Sequence, residues 1–269
     1  MHTLTRAAGF VLVPLTLALG AGCNPLNPMV ERRATFELSP AGEAPLEVRT
    51  TNGSIKVSEG ADLKIVVHAV IKARTQERAD ATTVGAASDA NGSIVISPQW
   101  PGERMSGEGC SMELVTPGVN SIALVTSNGA ITLGGLSGSA RLSTSNGAIK
   151  VEGFTGAVDA STSNGSVTIV GATHGVSARS SNGNLKITMT DTSQGPAVLT
   201  TSNGSIELSV GSAFGGSLSA TTSNGTVGIA APNAKDVVTS RGKGSARFGD
   251  GDGASVLKSS NGSISVRGR

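Results

Sequence analysis

The sequence predicts an all-β protein that folds as a single-stranded parallel β-helix, or β-solenoid, with coils of about 18–21 residues. Three observations predict this fold. A six-residue motif of the type Thr-Ser-Asn-Gly-x-Ile recurs along the second half of the chain. Apolar and polar residues alternate on both sides of each copy. Aromatic residues make up only 2% of the chain, which suits a narrow interior filled with Val, Ile, Leu and Ala.

The repeat is defined by its Asn-Gly corners, whose asparagines follow one another at intervals of 18, 18, 18, 21, 21 and 37 residues. The longest interval contains a degenerate copy, TSRGKGS at 239–245, with Arg241 in place of the asparagine. Further copies occur at Asn52 and Asn91. The regular corners, to which we assign a structural role, are Asn128–Gly129, Asn146–Gly147, Asn164–Gly165, Asn182–Gly183, Asn203–Gly204, Asn224–Gly225 and Asn261–Gly262.

Each corner is flanked by two predicted strands. Apolar residues stand four positions before, three after and five after each asparagine, whereas the position four after is mostly polar and includes Lys150, Lys186 and Glu207. This alternation is typical of strands with one buried face. The threonines two positions before the asparagine are assigned to the inward side: Thr126, Thr144, Thr162, Thr201, Thr222 and Thr239.

Asn-Gly between alternating strands also fits an antiparallel meander of hairpins. We favour the solenoid because it stacks identical corners about 4.8 Å apart, so that asparagine side chains form a hydrogen-bonded ladder. Glycine after each asparagine is expected to allow a left-handed corner. Asn261, in the last copy, is expected to have a stacking neighbour on one side only, so that its replacement costs less stability than that of Asn164.

The N-terminus predicts a lipoprotein signal peptide over residues 1–22, with an apolar run ending in LGAGC and lipid attachment at Cys23. The apolar run is too short to span a membrane. Residues 23–33 are interpreted as a tether, and residues 34–269 as one domain with an irregular capping part (34–120) and regular repeats (121–269). Asn24 is not the Asp that favours inner-membrane retention, so we expect the outer membrane.

The motifs LEVRTTNGSIKVSEG, MELVTPGVNSIALVTSNGAITLGGLSG and the following TSNGxIxVxG units resemble the bacterial "putative adhesin" family, a domain of unknown function. The resemblance covers roughly residues 34–269. It implies a β-solenoid at the cell envelope, and it brings no catalytic residues to this chain.

Few residues suggest chemistry. His68 and His174 are far apart and lack ligand companions, and Asp250 and Asp252 in GDGDGAS lack the other oxygen ligands of a calcium loop. Cys110 has no neighbour that would activate its thiol. We therefore expect no catalytic, cofactor-binding or metal-binding residues.

These observations predict a non-enzymatic, lipid-anchored envelope protein whose solenoid contacts a protein or glycan. A net charge of +2 without basic runs gives no reason to expect nucleic acid. The alternatives are a polysaccharide-acting β-helix enzyme and an envelope-stress or regulatory accessory protein; an ice-binding solenoid would need outward threonine ladders.

We place any ligand site on the outward columns or on the inserted loops, not at the corners. The loops are 189–196 and 209–216, and the second of them includes Phe214, which either contacts a ligand or fills the core. The outward columns are Lys150, Lys186 and Glu207 on one strand and Arg141, Asp159, Ser177 and Val198 on the other.

Overall fold

A computed structural model describes residues 29–39, 44–89 and 92–269. Within these residues the chain forms two long β-sheets that face each other across one apolar core, together with one short helix, α1 (Gln76–Ala81). Sheet 1 contains β1 (Val30–Leu38), β3 (Ile55–Glu59), β4 (Ile65–Ala73), β7 (Gly109–Thr116), β9 (Ile131–Gly134), β11 (Ile149–Glu152), β13 (Val167–Ala172), β15 (Leu185–Met189), β17 (Ile206–Val210), β19 (Val227–Ala230) and β23 (Ile264–Gly268). Sheet 2 contains β2 (Leu46–Arg49), β5 (Thr83–Ser88), β6 (Ile94–Gln99), β8 (Ser121–Val125), β10 (Ser137–Ser143), β12 (Thr155–Thr162), β14 (Val176–Ser180), β16 (Ala197–Asn203), β18 (Gly216–Asn224), β20 (Ala234–Ser240), β21 (Lys243–Phe248) and β22 (Ala254–Asn261).

Each regular coil contributes one strand to each sheet, and the Asn-Gly corner joins the two strands. Equivalent residues of successive coils are paired in parallel register, so that Ile149 of β11 lies between Ile131 of β9 and Val167 of β13. Alternate residues of these strands are buried, as in the pattern BiBeB of β14. The predicted all-β solenoid is confirmed, and the hairpin meander is wrong for the regular coils.

A ladder of side-chain amides runs along the corners. The Nδ2 group of each asparagine donates to Oδ1 of the next one at 2.7–2.8 Å, in the spatial order Asn224, Asn261, Asn203, Asn182, Asn164, Asn146, Asn128 and Asn52. These side chains lie at the surface, so water competes for their hydrogen bonds. The ladder therefore sets the register of the coils at a modest free-energy gain per bond.

The corner glycines have a different role from the predicted one. The regular corner glycines do not adopt left-handed backbone angles. A Cβ on Gly165 would lie 2.0 Å from the carbonyl oxygen of Gly147 in the coil below, and the other regular corners show the same close approach. Glycine is thus required because stacked backbones touch at this point.

The inward threonine column secures the same contact. Thr162 is buried and its Oγ1 donates to the carbonyl oxygen of Gly147 at 2.9 Å, and Ser180 makes the equivalent bond to Gly165 at 2.9 Å. Thr126, Thr144, Thr201 and Thr222 repeat this bond, at 2.8–3.0 Å. The hydroxyl satisfies a carbonyl that the tight corner removes from water.

The order of the coils in space differs from their order in the chain. The last coil, β22–β23, lies between β16–β17 and β18–β19, with Val256 paired to Val198 on one side and to Ser219 on the other. Asn261 consequently has ladder partners on both sides, whereas Asn224 has a ladder partner on one side only. The expectation that Asn261 ends the ladder is wrong.

The segment 239–245 is not a degenerate coil. It forms the turn of an antiparallel hairpin, β20–β21, in which β21 pairs with β18 at the end of sheet 2. Gly242 supplies the positive φ of +72° that the turn requires, and Thr239 is exposed instead of facing the core. The hairpin gives the stack an antiparallel end.

Antiparallel strands also close the N-terminal end, where β1, β4 and β7 pair in sheet 1 and β5 pairs with β6 in sheet 2. Strand β1 begins at Val30, four residues before the predicted domain boundary at 34. The carboxylate of Glu108 is fully buried and accepts hydrogen bonds from the Arg78 guanidinium of α1 at 2.7 and 2.8 Å. Its backbone carbonyl accepts the Nδ2 bond of Asn52 at 2.8 Å, so Glu108 connects the cap to the first rung of the ladder.

Candidate ligand-binding face

The residues with chemical potential are scattered. His68 lies on the outer face of β4 with Nδ1 3.0 Å from Thr35 Oγ1, and His174 lies in an exposed turn beside Thr173. Asp250 and Asp252 occupy the exposed connection between β21 and β22. Cys110 is fully buried, and desolvation raises the pKa of its thiol to about 12. These groups do not converge on one site.

Within residues 29–39, 44–89 and 92–269, no three His, Cys, Asp or Glu side chains come close enough together to hold a metal ion. In the same part of the chain, no helix has the length and hydrophobicity to cross a bilayer. Cys23 and the predicted signal peptide lie outside the described residues.

The outer face of sheet 2 carries a groove of about 680 Å³. It crosses β8, β10, β12, β14 and β16, which corresponds to about 19 Å along the stack at 4.8 Å per strand. Its floor is formed by small residues, including Ser121, Ser139 and Ala157, because neighbouring coils carry short side chains at this paired position. We call this feature the sheet 2 groove.

Three charged side chains line the sheet 2 groove. Asp159 Oδ1 lies 3.4 Å from Arg179 Nη1, and Asp159 Oδ2 lies 3.9 Å from Arg141 Nε. All three side chains are substantially exposed, so these ion pairs hold the arginines only loosely and leave donors for a ligand. The arrangement has a net charge of +1 and a planar fork of donors on each arginine.

The sheet 2 groove brings together four residues that the sequence placed in one outward column, namely Arg141, Asp159, Ser177 and Val198. Sequence reasoning missed Arg179, which belongs to the same face because it stands two positions after Ser177 on β14. The alternation of inward and outward residues along β14 already predicted that Arg179 lies on the outer face. Ser177 Oγ is shielded from solvent and makes no hydrogen bond to another described residue.

The loop residue Phe214 does not face solvent. Its ring is buried and meets that of Phe248 edge-on, with centroids 5.1 Å apart. Phe214 thus fills the core beneath its loop, and the loop 209–216 offers no aromatic contact to a ligand.

On the outer face of sheet 1, more of the charged side chains form ion pairs with each other than on the outer face of sheet 2. A cavity of about 490 Å³ near the N-terminal end is lined by Lys56, His68 and Glu113, among others. Lys56 Nζ lies 2.7 Å from Glu113 Oε1. Farther along, Lys150 lies 2.9 Å from Glu152, and Lys186 lies 3.9 Å from Glu207. We therefore regard the face of sheet 2 as the better candidate.

No protein-family model matches the chain. A search of curated proteins finds no significant match either.

Solved structures similar to it include the following three. A putative adhesin from Bacteroides fragilis has a TM-score of 0.43 and 13% identity, and the match covers 88% of this chain and 97% of the other. A putative cell adhesion protein from Clostridium sporogenes has a TM-score of 0.30 and 12% identity, with 89% of this chain and 100% of the other covered. A putative adhesin from Parabacteroides distasonis has a TM-score of 0.38 and 11% identity, with 88% of this chain and 97% of the other covered. The names of these proteins agree with the family that the repeat motifs resemble. At such low identities and TM-scores, the three structures carry no argument about a ligand of this chain.

Proposed function

We propose that the chain is a non-enzymatic, lipid-anchored protein of the bacterial cell envelope, whose solenoid is a rigid scaffold for adhesin-like contact with a ligand along sheet 2. The observation that carries this proposal is the sheet 2 groove. It is open and elongated, and its exposed charges come from a rigid sheet and not from loops. Such a surface suits contact with an extended polymer better than enclosure of a small molecule.

The anchor part of the proposal rests on the sequence at Cys23. The test is metabolic labelling with a fatty acid and membrane fractionation of the full chain and of its Cys23→Ala variant. Loss of both label and membrane association in the variant is the expected result. A variant that still labels and still sediments with membranes would show that the anchor is elsewhere.

The binding part is tested with the chain from residue 24, applied to an array of immobilised glycans and to envelope extracts of the host. We expect binding that falls when Arg141 and Arg179 are both replaced by alanine. The matched control is Lys150→Ala with Lys186→Ala, which removes the same charge from the outer face of sheet 1. Binding that is insensitive to the arginine pair, or equally sensitive to the lysine pair, would place the contact elsewhere.

A further inference from the structure

The position of the last coil creates a row of residues that the linear sequence does not contain. On the outer face of sheet 2, directly paired Cα positions run from Arg179 on β14 to Thr200 on β16, Lys258 on β22, Thr221 on β18 and Lys243 on β21. We call these five residues the cation row. The residues that flank each member on its own strand are buried, so all five side chains point outward.

The cation row alternates cations with hydroxyls. Neighbouring strands lie about 4.8 Å apart, so Arg179, Lys258 and Lys243 follow one another at about 10 Å, with a threonine hydroxyl between each pair. Lys258 takes its place only because β22 inserts between β16 and β18. With the coils in chain order, Thr200 and Thr221 would be adjacent and the charges would be spaced differently.

The two lysines of the cation row form no ion pair with another residue that the structure describes. Neither Lys258 nor Lys243 lies within 4 Å of a carboxylate in the part of the chain that the structure describes, and Arg179 shares Asp159 with Arg141. A cavity of about 340 Å³ lies over the middle of the row and is lined by Thr200, Lys258 and Thr221, together with serines of the neighbouring corners. The hairpin β20–β21 beside this cavity adds three positive charges, Lys235, Arg241 and Arg247, and one negative charge, Asp236.

We propose that the cation row and the adjoining sheet 2 groove bind a linear acidic polysaccharide. This proposal rests on the proposed function and names its ligand class. Cations at about 10 Å suit a polymer that carries a carboxylate or sulfate on only some of its sugars, and the intervening threonines suit sugar hydroxyls. A DNA duplex carries a phosphate on each strand for every ~3.4 Å of helix axis, so most of its charges would find no partner on the row. Among the residues lining both cavities there is no aromatic ring on which a base could stack.

The experiment measures binding of the chain from residue 24 to hyaluronate, which has a carboxylate on alternate sugars, with neutral dextran and duplex DNA as comparison probes. We expect hyaluronate to bind, and its affinity to fall as salt is raised from 50 to 500 mM, because exposed ion pairs are screened. Replacing Lys243 and Lys258 together by alanine should weaken binding by about five- to thirtyfold, since each exposed ion pair contributes up to about 1 kcal/mol.

Two matched variants separate charge from folding. Replacing Lys243 and Lys258 by arginine, which keeps both charges, should leave binding close to that of the natural chain. Replacing Lys150 and Lys186 on sheet 1 by alanine should leave binding unchanged. Dextran bound as tightly as hyaluronate would overturn the acidic class while leaving the scaffold function intact. DNA bound more tightly than hyaluronate would overturn the polysaccharide class. Failure of every glycan and envelope extract to bind would contradict the proposed function itself.

Discussion

The insertion of the last coil makes a prediction about stability that reverses the order expected from the chain. Asn261 donates one amide hydrogen bond to Asn203 and accepts one from Asn224, both at 2.8 Å, so Asn261→Ala removes two bonds. Asn224→Ala removes one. At about 1 kcal/mol net per bond, the two substitutions should cost about 2 and 1 kcal/mol. For a domain of this size, these values correspond to decreases in Tm of about 4–8 °C and 2–4 °C.

Thermal unfolding followed by circular dichroism measures these shifts. Asn164→Ala, which also removes two ladder bonds, should match Asn261→Ala. Ser260→Ala provides a control at the same corner that leaves the amide ladder intact. If Asn224→Ala cost as much as Asn261→Ala or more, the last coil would not lie inside the stack.

The remaining predictions concern the corner and the N-terminal cap. Gly165→Ala should destabilise the fold by at least about 3 kcal/mol, because its Cβ would lie 2.0 Å from a backbone oxygen, whereas Gly228→Ala, with nothing within 4 Å, should stabilise by about 0.5–1 kcal/mol; urea unfolding compares them. Thr162→Val should cost about 1–3 kcal/mol by leaving the carbonyl of Gly147 unbonded, and equal stability of the two proteins in the same assay would contradict this. The Arg78 guanidinium lowers the pKa of Glu108 to about 2, so the stabilisation that this carboxylate contributes is complete above its unfolded pKa of about 4.3 and is lost as the pH falls towards 2. The stability difference between the natural chain and Glu108→Gln should therefore shrink by about 2.5 kcal/mol between pH 5 and pH 2, and a constant difference would contradict the assignment.

Local pattern was sufficient to predict the coils. The period-two alternation assigned Leu142, Ile149 and Val151 to the core, and all three are buried. It also assigned Arg141 and Asp159 to the outer face, where they line the sheet 2 groove. Side-chain direction in a strand depends only on position parity, so a single sequence contains this information.

The order of the coils could not be predicted in the same way. The corners at Asn224 and Asn261 have almost the same local sequence, so either could stack on Asn203. The observed choice depends on the hairpin β20–β21, which pairs with β18 and allows the following coil to return beneath it. The spacing of the cation row depends on that choice, which is why the sequence did not reveal the row.

The corner glycines show how a correct motif can suggest an incorrect cause. Asn-Gly is typical of left-handed turns, and the sequence offers no view of the neighbouring coil. The structure shows that contact between stacked backbones excludes a side chain at Gly165. This constraint is a property of the stack and is not visible in one repeat.

The most direct test of the inserted coil is a pair of cysteine cross-links in the full chain carrying Cys23→Ser. Val256 is paired with both Val198 and Ser219, which places those two residues on opposite sides of it, about 10 Å apart. Cys110 is buried with a raised pKa and should not react in the folded chain. Val198→Cys with Val256→Cys should form a disulfide within one chain under mild oxidation, whereas Val198→Cys with Ser219→Cys should not, because the Cα atoms are too far apart. A disulfide between positions 198 and 219, with none between 198 and 256, would show that the coils stack in chain order and that the cation row does not exist.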